Sequence, residues 1–366
     1  MKVLYASDAD SIHDQRFLEK FVEAGYKTHV VTFSKNPIRV RGITYHNLPL
    51  EIRGYSPKSA LRMARGYFFL KKVLQKVKPD VLHGGWVQKY GYLCALANYH
   101  PFILMPWGSD ILIDPKKSSL IKSITKFTIK NADWITCDAE YVKNKIIEMT
   151  GYPSGKITVF PWGIDLKKFN PGARSDVRSK LGWKDKRILV MTRPFKPIYG
   201  IEYFLQALPE VIKKNPDVRV ILCGDGPLKS KFEEYVKKHE MKRHVHFAGF
   251  VENDELPKYY NAADIYVSTS LSDGTSLCLL EALACGLPVV VSDLPTNREW
   301  VTNGVGGLLI PKKNSRRTAN EINSLLKDRR AREKMGKNNL GVARRRANWD
   351  KNFRVLEKIF WAMTKK

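Results

Sequence analysis

Acid is scarce in this 366-residue chain: 36 Asp and Glu stand against 63 Lys and Arg, a formal charge of +27. Such a field draws in phospholipid headgroups, nucleotides, acidic glycans or nucleic acid, or else it is plain solvated surface; charge alone does not choose. Cysteine is equally sparse. Cys94, Cys137, Cys223, Cys278 and Cys285 form no CxxC pair and sit within apolar runs, which argues against a zinc or disulfide framework and for buried free thiols in a reducing compartment. No apolar stretch reaches the length of a membrane span. Met1–Ala6 meets Asp8 and Asp10 at once, too soon for a secretory signal, and reads as a first strand. A cytoplasmic address is expected, with the inner face of a membrane as a peripheral one. Zinc-finger spacing and RNP-like aromatic motifs are missing, so nucleic acid is not an expected partner.

What is present is the pattern of a folded protein. Hydrophobic residues make up 43% and aromatics 11%, and the length suits two domains. Short β-branched or aromatic runs (2–6, 28–33, 43–47, 80–84, 102–106, 133–137, 156–160) alternate with amphipathic segments such as Ser59–Val77 and Ser118–Asn131. A polar, Gly/Pro-bearing stretch from Gly163 to Lys186 reads as a connection. The alternation then restarts at 187–192, 218–223, 244–247, 264–268, 288–292 and 307–310. The expected architecture is α/β: two Rossmann-like, doubly wound domains facing a cleft, at 1–165 and 166–345, with a C-terminal helix at 346–366 packing back on the first.

The densest chemistry lies in Ser272-Asp273-Gly274-Thr275-Ser276-Leu277, which leads through Glu281 to Gly286-Leu287-Pro288. A polar turn precedes a helix that Gly286 ends. Thr275 or Ser276 caps it, and the free N–H groups there suit a diphosphate. Glu281, one turn inside, is placed to accept from a ribose diol, and Asp273 to hold sugar hydroxyls. An ordinary capped helix with a solvent-facing Glu explains Ser276 and Gly286, but not an acid in both the turn and the helix of one unit.

This unit resembles the Glu-x7-Glu signature of the family 4 glycosyltransferases, retaining enzymes of GT-B fold. The resemblance spans most of the chain. Val245-His246-Phe247-Ala248-Gly249-Phe250 is similar to the segment that reads the nucleotide base, Gly224-Asp225-Gly226-Pro227 to a phosphate-side turn, and Glu299 to a recurring acid. By resemblance, Glu281 binds the ribose and Asp273 the transferred sugar, with Gly274, Thr275, Ser276, Leu277, Gly224, Gly226 and Phe250 around the donor. The family's strand-end Arg and Lys-Gly pair grip the diphosphate. Arg193 matches the first, whereas Tyr199 stands where the Lys belongs, and either it or the nearby Lys196 takes that place. Two further departures are Asp273 for Glu and Ser276 for Gly.

In the first half, His83-Gly84-Gly85-Trp86 and Pro106-Trp107-Gly108-Ser109-Asp110 close two strands. Glycines admit a ligand to the backbone, and Trp86, Trp107, Ser109 and Asp110 suit a sugar, or line a packing surface. Trp107 replaces the family's His. Ser11 and His13 follow the first strand, where His13 either touches the acceptor or leaving group or caps a helix. Asp8-Ala9-Asp10 has the form of a metal-diphosphate motif, but alone it is a weak signal. No metal and no cofactor are therefore expected.

The implied activity is transfer of a hexose-type sugar, with retention, from a nucleoside-diphosphate sugar to a hydroxyl of a glycan or lipid-linked acceptor, as in polysaccharide or glycolipid biosynthesis. Asp273, Arg193, Lys196, Asp110 and His13 are the expected catalytic set. The alternatives are a non-catalytic nucleotide-sugar or anion-binding protein of the same fold, and a sugar-nucleotide epimerase. Lys58, Arg62, Arg65, Lys71, Lys72, Lys76 and Lys78 stud one helical segment, and Lys122, Lys126 and Lys130 another. Each reads as a surface for an anionic bilayer or as a half-buried helix with a solvated face.

Overall fold

The computed structural model describes residues 1–50, 52 and 57–364, so the last two residues of the expected 346–366 segment lie outside the described ones. Contacts divide the chain into two compact units, Met1–Phe160 with Phe353–Lys366, and Pro161–Asn352. Each is built on one parallel sheet.

In the first unit, β1 (Lys2–Ala6), β2 (Lys27–Thr32), β3 (Thr44–Asn47), β4 (Val81–Gly85), β5 (Phe102–Met105), β6 (Trp134–Cys137) and β7 (Ile157–Val159) lie in the order β3-β2-β1-β4-β5-β6-β7. In the second, β8 (Arg187–Thr192), β9 (Val218–Cys223), β10 (Val245–Gly249), β11 (Ile265–Ser268), β12 (Val289–Ser292) and β13 (Gly307–Ile310) lie as β10-β9-β8-β11-β12-β13. Runs such as Ile188-Leu189-Val190-Met191 and Val289-Val290-Val291 are essentially without exposed surface. Strands covered on both faces read as continuous apolar runs, which is why their positions are legible.

The crossovers in the first unit are α1 (Ile12–Glu23), α2 (Pro57–Val77), α3 (Tyr92–Ala97), α4 (Ser109–Leu112), α5 (Ser119–Lys130) and α6 (Glu140–Thr150). The amphipathic Gln88–Asn98 stretch does not form one continuous helix but a π-helical turn, Val87–Gly91, followed by α3. The second unit carries α7 (Val177–Lys180), α8 (Ile201–Lys214), α9 (Lys229–Lys238), α10 (Leu256–Ala262), α11 (Leu277–Ala284), α12 (Pro295–Arg298), α13 (Ser315–Lys327) and α14 (Arg329–Arg346). The 163–186 stretch is not a loose connection. Phe169 and Val177 are buried in the second core, and Arg178 reaches the Asp264 carboxylate at 2.8 Å.

The last helix, α15 (Trp349–Thr364), gives its residues from Phe353 onward to the first unit. Phe360 is fully buried, with ring centroids 5.8 Å from Phe21, 6.0 Å from Tyr26 and 5.6 Å from His83. His83 is therefore core rather than a strand-end ligand. It has no exposed surface, neither ring nitrogen has a hydrogen-bond partner among the described residues, and burial draws its pKa down to about 3.

Candidate functional site

In each sheet the strand order reverses at one point, and a doubly wound sheet binds its ligand beside that point, at the strands' carboxyl ends. In the second unit the reversal lies between β8 and β11. Arg193 follows β8, and the turn after β11 carries Asp273 and Ser276. The three meet: one terminal nitrogen of Arg193 bonds the Asp273 carboxylate at 2.5 Å and also the Ser276 hydroxyl. Arg193 is 7% exposed. Burial works against its charge, but the Asp273 carboxylate outweighs this and holds the guanidinium more firmly protonated than usual. Its Nε is buried with no hydrogen-bond partner among the described residues. Asp273 thus orients Arg193, a role its place in the sequence does not reveal.

Tyr199 lies in the short turn before Gly200, with its ring 4.9 Å from the Arg193 guanidinium carbon. It fixes the guanidinium from the face, a cation–π contact. Lys196, at the start of that turn, is exposed.

Ser276 is the N-cap of α11, its hydroxyl accepting from the Leu279 amide at 3.2 Å. Gly274 and Thr275 are buried beside it, and Leu277 opens the helix. Glu281 is not the solvent-facing Glu of an ordinary helix: it is 5% exposed and accepts from the Tyr260 hydroxyl at 2.7 Å. Tyr260 also bonds Thr192, the last residue of β8, at 2.6 Å and the Cys278 carbonyl at 3.2 Å. This fully buried phenol therefore ties the strand end that carries Arg193 to the helix that carries Glu281. Sequence reasoning missed Tyr260 and Thr192. The only hint was a second tyrosine in Lys258-Tyr259-Tyr260.

Gly224 and Gly226 serve the neighbouring backbone. A Cβ on Gly224, at φ +156°, would fall 2.1 Å from the Arg193 carbonyl, and one on Gly226 2.8 Å from the Phe195 carbonyl. The Phe195 amide donates to the Asp225 carbonyl at 2.8 Å and the Leu228 amide to the Phe195 carbonyl at 3.1 Å. The turn expected to admit a phosphate is thus clamped against the Arg193–Phe195 segment. Phe250, just past β10, is 73% exposed.

In the first unit the reversal lies between β1 and β4, and an ion pair spans it. Lys89 bonds both oxygens of Asp8, at 2.6 and 2.8 Å, and the Tyr90 hydroxyl adds a third bond at 2.8 Å. Asp10 instead accepts from Ser34 at 3.3 Å, so the Asp-x-Asp pair does not converge. Ser11 caps α1 and bonds the buried Asp14 carboxylate at 2.7 Å, a capping role rather than a free ligand group. The His13 ring meets Trp107 edge-on at 5.8 Å. Trp107 fills the space over Gly85, where a Cβ would meet its indole nitrogen at 2.7 Å, so this glycine admits a side chain and not a ligand. Trp86 is 38% exposed in a positive-φ conformation, and Ser109 is half-buried at the start of α4.

Asp110 departs from the expected catalytic set. It has no exposed surface and accepts from the backbone amides of Val87 at 3.0 Å and Trp107 at 2.9 Å, tying the β4 and β5 loops together. Burial pushes its pKa up to about 7, while those two amides pull the other way. The folded state therefore holds this proton more tightly than the unfolded chain, whose Asp titrates near ~3.9. From about pH 4 to about pH 7 the native carboxyl is protonated and the unfolded one is not. Its contribution to stability consequently falls as pH rises through that window and is level above it. Asp110→Asn should flatten this component, read as the difference in urea-unfolding free energy between variant and wild type across the window. A constant difference would contradict the raised pKa.

Among the described residues no group of three or more His, Cys, Asp or Glu is placed to hold a metal ion, and no helix is long and apolar enough to cross a membrane. The model of glycosyl transferases group 1 matches residues 173–341, and that of the glycosyl transferase 4-like family matches residues 2–139. Spore coat protein SA of Bacillus subtilis is 31% identical over 204 residues, covering 52% of this chain and 54% of that protein. The alpha-monoglucosyldiacylglycerol synthase of Streptococcus pneumoniae is 26% identical over 265 residues, covering 67% and 59%. The chain thus spans little more than half the length of these two relatives. Among solved structures, Anabaena HepE in complex with UDP superposes with a TM-score of 0.79 at 19% identity, covering 98% of this chain and 99% of that one.

Proposed function

With its first half matched by the glycosyl transferase 4-like model and its second by that of glycosyl transferases group 1, the chain is a glycosyltransferase of GT-B fold, and we propose that it moves a hexose-type sugar from a nucleoside-diphosphate donor to a hydroxyl of a glycan or lipid-linked acceptor, with retention. One observation carries this reading: at the β8/β11 reversal a buried, permanently charged Arg193 is fixed beside the capped N-terminus of α11. Both are groups that stabilise a leaving diphosphate. UDP in the Anabaena relative supports a nucleotide at such a fold, and the diacylglycerol synthase supports a lipid acceptor.

In the proposed step the acceptor oxygen bonds to the anomeric carbon on the face from which the diphosphate departs. The carbon–phosphate-oxygen bond breaks, the acceptor proton passes to the departing phosphate oxygen, and nucleoside diphosphate is released. Arg193 and the N–H groups at Ser276–Leu277 meet the developing charge. Glu281 holds the ribose, Asp273 keeps Arg193 aimed, and Phe250 flanks the base. The acceptor side is assigned to the first unit, around Trp86, Trp107, His13 and Ser109, and the enzyme to the cytoplasmic face of a membrane.

The test is a screen of nucleotide sugars for thermal stabilisation, since a ligand that binds the native state raises apparent stability, followed by assay of nucleotide release with acceptors. Stabilisation without turnover on any acceptor would indicate a binder of the same fold. Because Arg193 and backbone N–H groups meet the diphosphate, turnover should also survive a strong chelator. Loss on chelation with rescue by manganese or magnesium would place a metal in the step.

A further inference from the structure

Of the large apolar side chains exposed among the described residues, half (Leu61, Phe68, Leu96, Leu120 and Phe127) lie on α2, α3 and α5. These helices are neighbours. α3 lies against both others, and its Tyr92 meets the Phe127 ring edge-on at 5.8 Å. The α2 face toward the core holds Gly66, Leu70, Val73, Leu74 and Val77. At 3.6 residues per turn, Leu61 and Phe68 fall on the opposite line, two turns apart. Each is 67% exposed. Arg65 and Lys72 flank that line on one side and Lys71 on the other. α5 adds a second exposed apolar pair, Leu120 and Phe127, 57% and 40% exposed, with Lys126 and Lys130 to one side of it. None of the three helices contains Asp or Glu.

A solvated basic face has no use for exposed Leu and Phe along its crest, because apolar area left in water is unfavourable. A binding face for an acidic polymer would need the cations alone. An apolar crest between basic residues on α2, with a second apolar pair beside Lys126 and Lys130 on α5, fits a surface that is anionic outside and hydrocarbon just beneath: the rings enter the acyl boundary while the long basic side chains reach up to the phosphates. We infer that the α2–α3–α5 face docks on an anionic lipid bilayer, with Leu61, Phe68, Leu120 and Phe127 entering it and the flanking Lys and Arg meeting headgroup phosphates. The purpose of this docking rests on the membrane-borne acceptor proposed above; its geometry does not.

The experiment is cosedimentation of the full chain with vesicles of phosphatidylcholine alone and of phosphatidylcholine mixed with phosphatidylglycerol. Wild type should sediment with the mixed vesicles and not the neutral ones. High salt should weaken the binding progressively, since screening reduces the charge attraction on which it depends. Leu61→Ser/Phe68→Ser should reduce binding to mixed vesicles at least about tenfold, equivalent to about 1.4 kcal/mol, with an unchanged melting temperature. Val305→Ser, which alters another exposed apolar side chain in the second unit, should bind as wild type does. Binding to neither vesicle, equal binding to both, or a double variant that binds as wild type would overturn the inference. Nucleotide binding measured on the same variants separates the two readings. If it persists while vesicle binding is lost, docking stands even where no lipid acceptor is ever glycosylated.

Discussion

Arg193→Ala is expected to lower kcat by about 10²–10³-fold, the loss seen when one preorganised donor to a developing oxyanion is removed. The larger part should fall on kcat and not on KM, because the charge Arg193 meets grows as the bond to phosphate breaks. The substitution carries a second effect. It leaves the Asp273 carboxylate, now hydrogen-bonded to Arg193 at 2.5 Å, partly buried without its counter-charge, and breaking such a pair costs about 3–5 kcal/mol. Arg193→Met/Asp273→Asn separates the two effects: the double variant should recover most of the melting temperature and none of the turnover. Arg193→Lys keeps a charge but loses the planar guanidinium that lies 4.9 Å from the Tyr199 ring, so it should fall between. An Arg193→Ala enzyme with intact fold and kcat within a factor of a few of wild type would end the assignment.

Glu281→Ala should weaken binding of the free nucleoside diphosphate by roughly 1.5–3 kcal/mol, the contribution of a hydrogen bond to a charged group. The fold should survive, because the Tyr260 hydroxyl keeps its bonds to Thr192 and to the Cys278 carbonyl. Calorimetry with a ribonucleotide and its 2′-deoxy counterpart makes the test specific. Wild type should discriminate between them, and the variant should not. Discrimination that persists without Glu281 would move the ribose contact elsewhere.

Much of this was legible because each piece repeats at short range. Thirteen strands sit within a few residues of their expected positions, since buried parallel strands are runs of one kind of side chain. Ser276 and Gly286 announce the start and end of α11 by local chemistry. What stayed hidden are pairings made through space. Arg193 and Asp273 are 80 positions apart, so nothing local shows that the acid's first partner is the arginine. Gly224 and Gly226 look like a phosphate turn because both a phosphate and a neighbouring backbone require the same absence of Cβ. Asp110 and Ser11 look like ligand groups because a carboxylate or hydroxyl at a strand end serves equally to cap a loop. Tyr260 is one aromatic among many until its hydroxyl is seen between Thr192 and Glu281.

The division of the chain also sets an order of events during synthesis. The first unit is discontinuous: its core holds Phe353 and Phe360 against Phe21, Tyr26 and His83, and these two are made after the whole of the second unit. Domains ordinarily close as they emerge, N-terminal first. Here the second unit, unbroken from Pro161 to Asn352, has all its parts while the first still lacks a wall. The half that is made first is the one that finishes last. Until residue 360 is translated, a nascent chain carries an uncovered aromatic surface over β1 and α1, a natural place for a chaperone to hold it.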